Sequence, residues 1–145
     1  MKGSYILVVK LRKNSSIKIG SLGKIFFSKG YYCYVGSALG KTVYLEKRLE
    51  RYGRLNKEKK GNLHWHIDYL LISPVAAIAA AKIFPNKDVE CEVSRNLAKI
   101  SSVVKNFGSS DCKCKGHLFY FKNFSKIKKL LVVSVSNARR GKFNC

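Results

Sequence analysis

The chain has no glutamine and few acidic residues: eight Asp and Glu stand against 29 Lys and Arg in 145 residues, a formal net charge of +21. A field of that size attracts polyanions over about a Debye length, roughly 8 Å at physiological salt. Nucleic acid is therefore the first partner the composition suggests. An anionic membrane surface would call for a long amphipathic basic helix, and none stands out. The missing glutamine and abundant lysine hint at a thermophilic source, a hint that nine asparagines and five cysteines weaken. Long apolar runs are also missing. The longest, residues 69–81, is broken by Ser73-Pro74 and is too short to span a bilayer. The opening MKGSYILVVKLRKN carries a short apolar run without a cleavage signature, so it does not read as a signal peptide. A cytoplasmic protein with no membrane partner is the expectation. Five cysteines cannot pair fully within one chain, and in a reducing compartment they are expected to be reduced or metal-bound. Internal repeats and low-complexity tracts are absent. What is present, 46% hydrophobic residues, excludes disorder and suffices for one domain with a core.

Periodicity then orders the chain. Residues 4–11 read as a strand, 12–16 form a polar turn, and 24–27, bracketed by Gly23 and Gly30, form a second strand. Aromatic and β-branched residues make 31–35 a strand ending at Gly36, with Tyr32 and Tyr34 on one face and Tyr31, Cys33 and Val35 on the other. A small-residue turn follows, then a helix over 43–52 whose Leu45, Leu49 and Tyr52 form an apolar stripe. Residues 54–62, RLNKEKKGN, show no apolar period and read as a solvated basic loop. Residues 63–72 read as a helix with Trp65, Tyr69 and Ile72 inward, ended by Pro74. The alanine-rich 75–84 favours a helix by propensity. Residues 89–100 form a helix capped by Asp88, with Val89, Val93, Leu97 and Ile100 in one stripe. An irregular loop over 106–116 precedes a strand at 117–121, and 130–135 form a strand or short helix.

Gly3-Ser4-Tyr5 near the start, Tyr34-Val35-Gly36, and Arg48 three residues after Leu45 together resemble the GIY-YIG endonuclease superfamily. Ser4 and Val35 stand where that family's name motif has isoleucine. The runs HWHIDYLL, ECEV and GSSDCKCKGHLFYF are similar to an uncharacterised prokaryotic branch of it, sometimes attached to endonuclease III-type DNA glycosylases. The resemblance covers residues 3–121. It implies an α+β fold, a small central, mostly antiparallel sheet flanked by helices, and a strand rather than a helix at 75–84. The corresponding division is a domain at 1–122 with a basic extension at 123–145.

The resemblance also implies a metal-dependent endonuclease acting on DNA rather than RNA, in a DNA-repair setting. Tyr5 or Tyr34 would activate water, Arg48 would stabilise charge, and Glu90 would hold one Mg²⁺ or Mn²⁺. A lone carboxylate suits such an ion, which keeps most of its waters. A phenol of pKa about 10 is a poor base at neutral pH, and nearby cations are expected to lower it. Tyr52 stands where many members have histidine, and it either substitutes or packs. Helix-dipole preference accounts for Glu90 and Glu92 just as simply. Lys41, Arg51, Lys57, Lys59 and Lys60, with His64 and His66, are the candidate phosphate contacts; Asp68 joins the two histidines at the cleft. Cys112-x-Cys114-x-x-His117 with Cys91 reads as a structural zinc site or as buried thiols and a loop histidine, and the tight Cys-x-Cys spacing favours the second. The alternatives to an enzyme are a nucleic-acid-binding module that keeps the fold without catalysis, and an adaptor that docks on a DNA-repair enzyme.

Overall fold

The computed structural model describes residues 1–40, 44–109 and 114–132. Gly3–Leu11 (β1) is buried on both faces because it lies inside a five-stranded sheet. Gly30–Ala38 (β4) pairs with β1 antiparallel along its whole length, and Ala76–Pro85 (β5) lies on the other side of β1, also antiparallel. Leu118–Phe121 (β7) and the short Ser102–Val103 (β6) complete the order β5-β1-β4-β7-β6. A separate hairpin joins Ser15–Lys18 (β2) to Lys24–Phe27 (β3). The expected α+β class, with an antiparallel central sheet flanked by helices, is therefore what the chain adopts.

Strand parity sorts the core into two layers. Tyr5, Leu7, Val9, Tyr32 and Tyr34 face Leu45–Glu58 (α1) and His66–Leu71 (α2). Ile6, Val8, Cys33 and Val35 face Glu90–Ala98 (α3), and Ile127 of Phe124–Val132 (α4) packs on the same side. Among the described residues no helix is long and apolar enough to cross a membrane.

Several local expectations fail, each for a physical reason. The polar turn at 12–16 gives way to β2 from Ser15, because pairing with β3 orders a segment whose only apolar residue is Ile17. β4 runs past Gly36 to Ala38 because β1 continues to pair with it. The basic segment 54–62 is not a loop at its start: α1 continues to Glu58, held by buried Leu55 and closed by Lys59 in the left-handed conformation. The second helix starts only at His66, and Ile67, Leu70 and Leu71 are its buried apolar residues; Trp65, expected inward, is 40% exposed. Alanine-rich β5 is a strand because β1 offers it a full ladder, which outweighs a helix propensity of tenths of a kcal/mol per residue. Ile100 lies beyond the end of α3 and is exposed. The last helix starts at Phe124, earlier than the segment at 130–135 suggested.

Asp88 does not cap α3. The Ser4 hydroxyl does the tying instead: it donates to the Lys87 carbonyl at 2.8 Å and accepts the Val89 N–H at 3.0 Å. Ser4 is fully buried, and these two hydrogen bonds fix the entry of α3 against β1, and with it the position of Glu90.

Candidate active site

Register brings the first two phenols together. Tyr5 lies opposite Gly36, and Tyr34 lies opposite Leu7, so the two tyrosines are diagonal neighbours on one face. Their ring centroids are 6.3 Å apart. Gly36 is required for room: a Cβ there would sit 2.5 Å from the Tyr5 hydroxyl and 2.6 Å from its Cζ. The Tyr5 ring is 1% exposed and has nowhere to move. Gly-x-Tyr and Tyr-x-Gly are thus one packing unit, with the tyrosine of the first lying across the glycine of the second.

α1 supplies the next groups from one face, four residues apart. The Tyr52 hydroxyl hydrogen-bonds the Tyr5 hydroxyl at 2.7 Å, both buried. Arg48 Nη1 donates to the Ser37 carbonyl at 2.5 Å, which anchors the guanidinium at the end of β4. Its Nε is buried without a hydrogen-bond partner among the described residues. Glu90, in the first turn of α3, is close enough that its charge raises the pKa of both Tyr5 and Tyr34, while Arg48 lowers both. Tyr5, Tyr34, Arg48 and Glu90 therefore share one electrostatic neighbourhood, and Tyr52 joins it.

Burial decides the titration of the phenols. Desolvation raises the pKa of Tyr5, Tyr34 and Tyr52, each against the opposing pull of Arg48. The expectation that cations would lower the phenols fails because the rings are packed rather than solvated. At neutral pH all three hydroxyls hold their protons.

The rim is built by an ion pair. Asp68 is fully buried and accepts from Arg51 Nη1 at 2.9 Å and Nη2 at 2.7 Å, a bidentate fork. The same carboxylate accepts the backbone N–H groups of His64 and Trp65 at 2.7 and 2.9 Å, which satisfies orphan donors at the start of α2. Arg51 also donates to the Asn62 carbonyl at 2.7 Å. Arg51 and Asp68 are thus spent on each other and on the rim, not on phosphate. Trp65 lies with the Arg48 guanidinium 4.6 Å and that of Arg51 5.0 Å from its ring centroid. His66 Nδ1 accepts the Gly108 N–H at 2.8 Å. Gly108 has φ +70°, and a Cβ there would meet the Tyr34 ring at 3.0 Å, so the loop closes over Tyr34 through a residue that only glycine suits. Burial lowers the His66 pKa, which keeps that nitrogen free to accept.

Lys59, expected to contact phosphate, is a strut: its ammonium donates to the Leu71 and Ala76 carbonyls at 3.0 and 2.7 Å. Lys57 and Lys60 are exposed. Lys60, Arg54 and His64 border a hollow of about 190 Å³ beside Arg51. Lys41 and Cys112 lie outside the described residues. Cys91 is disulfide-bonded, against the expectation of reduced or metal-bound sulfur, and the Cys114 Sγ lies 3.7 Å from its Sγ. His117 is buried and its Nδ1 shares a 2.7 Å hydrogen bond with the Ser94 hydroxyl. Among the described residues no three His, Cys, Asp or Glu side chains cluster as a metal site. The donor set near the phenols, one carboxylate beside phenol oxygens, is all oxygen and fits a Mg²⁺-type ion rather than zinc.

Sequence reasoning placed Trp65 in the core rather than in a base-stacking role, and gave Ser4 and Gly108 no part in the site. One signal was available for the first: Asp68 three residues after Trp65 is the spacing of a capping carboxylate, which puts Trp65 at a helix start and not on its buried stripe.

Raised pKa values have a consequence for stability. A folded thiol or phenol that holds its proton beyond the unfolded value stabilises the fold fully below that value, and the contribution is lost as pH rises. Burial pushes the Cys33 thiol from 9.0 up to about 12, and the buried phenols start from 10.0. Stability is expected to decline from pH 9 and more steeply from pH 10, at roughly 1.4 kcal/mol per pH unit for each group engaged. Urea midpoints between pH 8 and 11 measure this, and a flat profile contradicts the burial of these groups.

A family model described as a domain of unknown function, DUF123, matches residues 4–140. No curated protein and no solved structure matches the chain.

Proposed function

The chain belongs to the DUF123 family, a domain of unknown function, and from the site built above we propose that it hydrolyses phosphodiester bonds of nucleic acid, DNA in the first place, as a metal-dependent endonuclease of the GIY-YIG kind. The observation that carries this reading is the Arg48 guanidinium set beside three phenols and within electrostatic reach of Glu90. A phosphate oxygen that reaches that guanidinium would gain a charge-assisted hydrogen bond. The net charge of +21 supplies the long-range attraction.

In the proposed reaction water attacks phosphorus and loses its proton to the small fraction of Tyr5 or Tyr34 present as phenolate, a fraction that grows with pH. The bond to the leaving oxygen breaks as the new P–O bond forms, and that oxygen takes up the proton which the phenol then holds. Arg48 holds the charge that grows on the non-bridging oxygens. Glu90 would hold a Mg²⁺ or Mn²⁺ ion, and when bound such an ion offsets the carboxylate charge that now raises both phenol pKa values. Tyr52 steadies the Tyr5 hydroxyl and so takes the place of the histidine in related motifs.

Purified protein with Mg²⁺ or Mn²⁺ is expected to nick supercoiled plasmid DNA, and Glu90→Ala to reduce nicking at least 100-fold while the unfolding midpoint stays close to wild type. Equal nicking by the two proteins removes Glu90 from the mechanism.

A second reading has its own observation. Tyr5, Tyr34 and Tyr52 are 1%, 7% and 1% exposed and keep their protons at neutral pH, as suits a nucleic-acid-binding module that does not cut. It predicts steeply salt-dependent binding and intact DNA with every divalent ion tested.

A further inference from the structure

We propose that Trp65 is a stacking platform for an unpaired nucleobase next to the phosphate held at Arg48, so that the substrate is single-stranded at the site of attack. This rests on the nucleic-acid reading of the same cleft. Three observations lead to it. Trp65 is a large aromatic residue left 40% exposed at the start of α2, where its neighbours Ile67, Leu70 and Leu71 are buried. Its position is fixed and not left to a mobile side chain: the backbone N–H is held by Asp68, and Asp68 is held by Arg51. The Arg48 guanidinium that lies 4.6 Å from the indole centroid is the same one that borders the phenols.

An indole that only covered two arginines would need no open surface. The ring lies 4.6 Å from the Arg48 guanidinium, so a phosphate held at Arg48 brings its own nucleoside to the rim. Bases of an intact duplex are already stacked on their neighbours and cannot lie on a protein ring without being extruded. Bases of a single strand can, and an aromatic platform contributes about 1–3 kcal/mol per base.

The sequence contains one tryptophan, so emission excited at the red edge, beyond tyrosine absorption, reports this residue alone. The probe is a 12-nucleotide thymidine oligomer, set against a 12-base-pair duplex, both titrated in EDTA so that cleavage plays no part. Stronger quenching by the single strand is expected. Trp65→Ala, followed by fluorescence anisotropy of labelled DNA, is expected to weaken single-strand binding about 5- to 150-fold, the equivalent of that stacking energy. Duplex binding should change little, and Trp65→Phe should restore most of the loss. Equal quenching by both DNAs, or equal weakening of both in Trp65→Ala, overturns the proposal. The nuclease reading fails separately: single-strand quenching without nicking in Mg²⁺ or Mn²⁺ leaves the platform standing, and nicking without quenching leaves only the nuclease. Absence of binding to either DNA sinks both.

Discussion

Arg48→Ala is expected to lower the rate of DNA cleavage by about 10²–10³-fold, the usual cost of removing a preorganised charge donor from a phosphoryl or acyl transition state. The geometry makes the guanidinium rigid before substrate arrives. Nη1 is tied to the Ser37 carbonyl, and the guanidinium carbon lies 4.6 Å from the Trp65 ring centroid. A second effect separates this role from general attraction. Arg48 lowers the pKa of Tyr5, Tyr34 and Tyr52. Cleavage that needs a phenolate rises with pH below the phenol pKa, and in Arg48→Ala that rise should move to still higher pH. Arg48→Lys keeps the charge but not the fork or the stacking, so it should restore part of the pH profile and little of the rate. A rate loss that salt alone reproduces, with no displacement of the profile, would reduce Arg48 to one cation among 29.

The site was legible in the sequence only as far as pairing could be read from strands. β1 and β4 declare themselves by runs of β-branched and aromatic residues and α3 by period 3.6, and parity alone puts Tyr32 and Tyr34 on the face opposite Cys33 and Val35. That Gly36 serves Tyr5 is not visible in either tripeptide, since it depends on a register joining residues 31 positions apart. Basic residues were the least legible. Lys59 and Arg51 look like solvated charge in a run of lysines, yet one braces two carbonyls and the other neutralises a buried carboxylate. Periodicity cannot show this, because a cation's role is set by which acceptors lie within reach. The pKa expectation failed for the same reason: the charges were countable, but the desolvation that outweighs them belongs to the packed core.

Asp68→Ala is expected to destabilise the protein by about 3–5 kcal/mol, the range for breaking a buried ion pair from one side. Against a typical total of roughly 5–15 kcal/mol, this could leave little folded protein at growth temperature. Four hydrogen bonds end on this carboxylate, two from Arg51 and two from the backbone at the start of α2. Removing it orphans all four donors and leaves the Arg51 guanidinium, whose side chain is 20% exposed, without its counter-charge. Arg51→Ala should cost less, because the carboxylate keeps its two backbone donors. The double variant should cost less than the sum of the two, by 1 kcal/mol or more, if the pair is coupled. Denaturant midpoints of the four proteins decide it. Additive losses would mean that Asp68 acts only as a helix cap. Coupled losses mean that the pair holds Trp65 and the entry of α2 in place, and then a variant in which both partners are replaced should lose single-strand preference along with stability, even at a temperature where it stays folded.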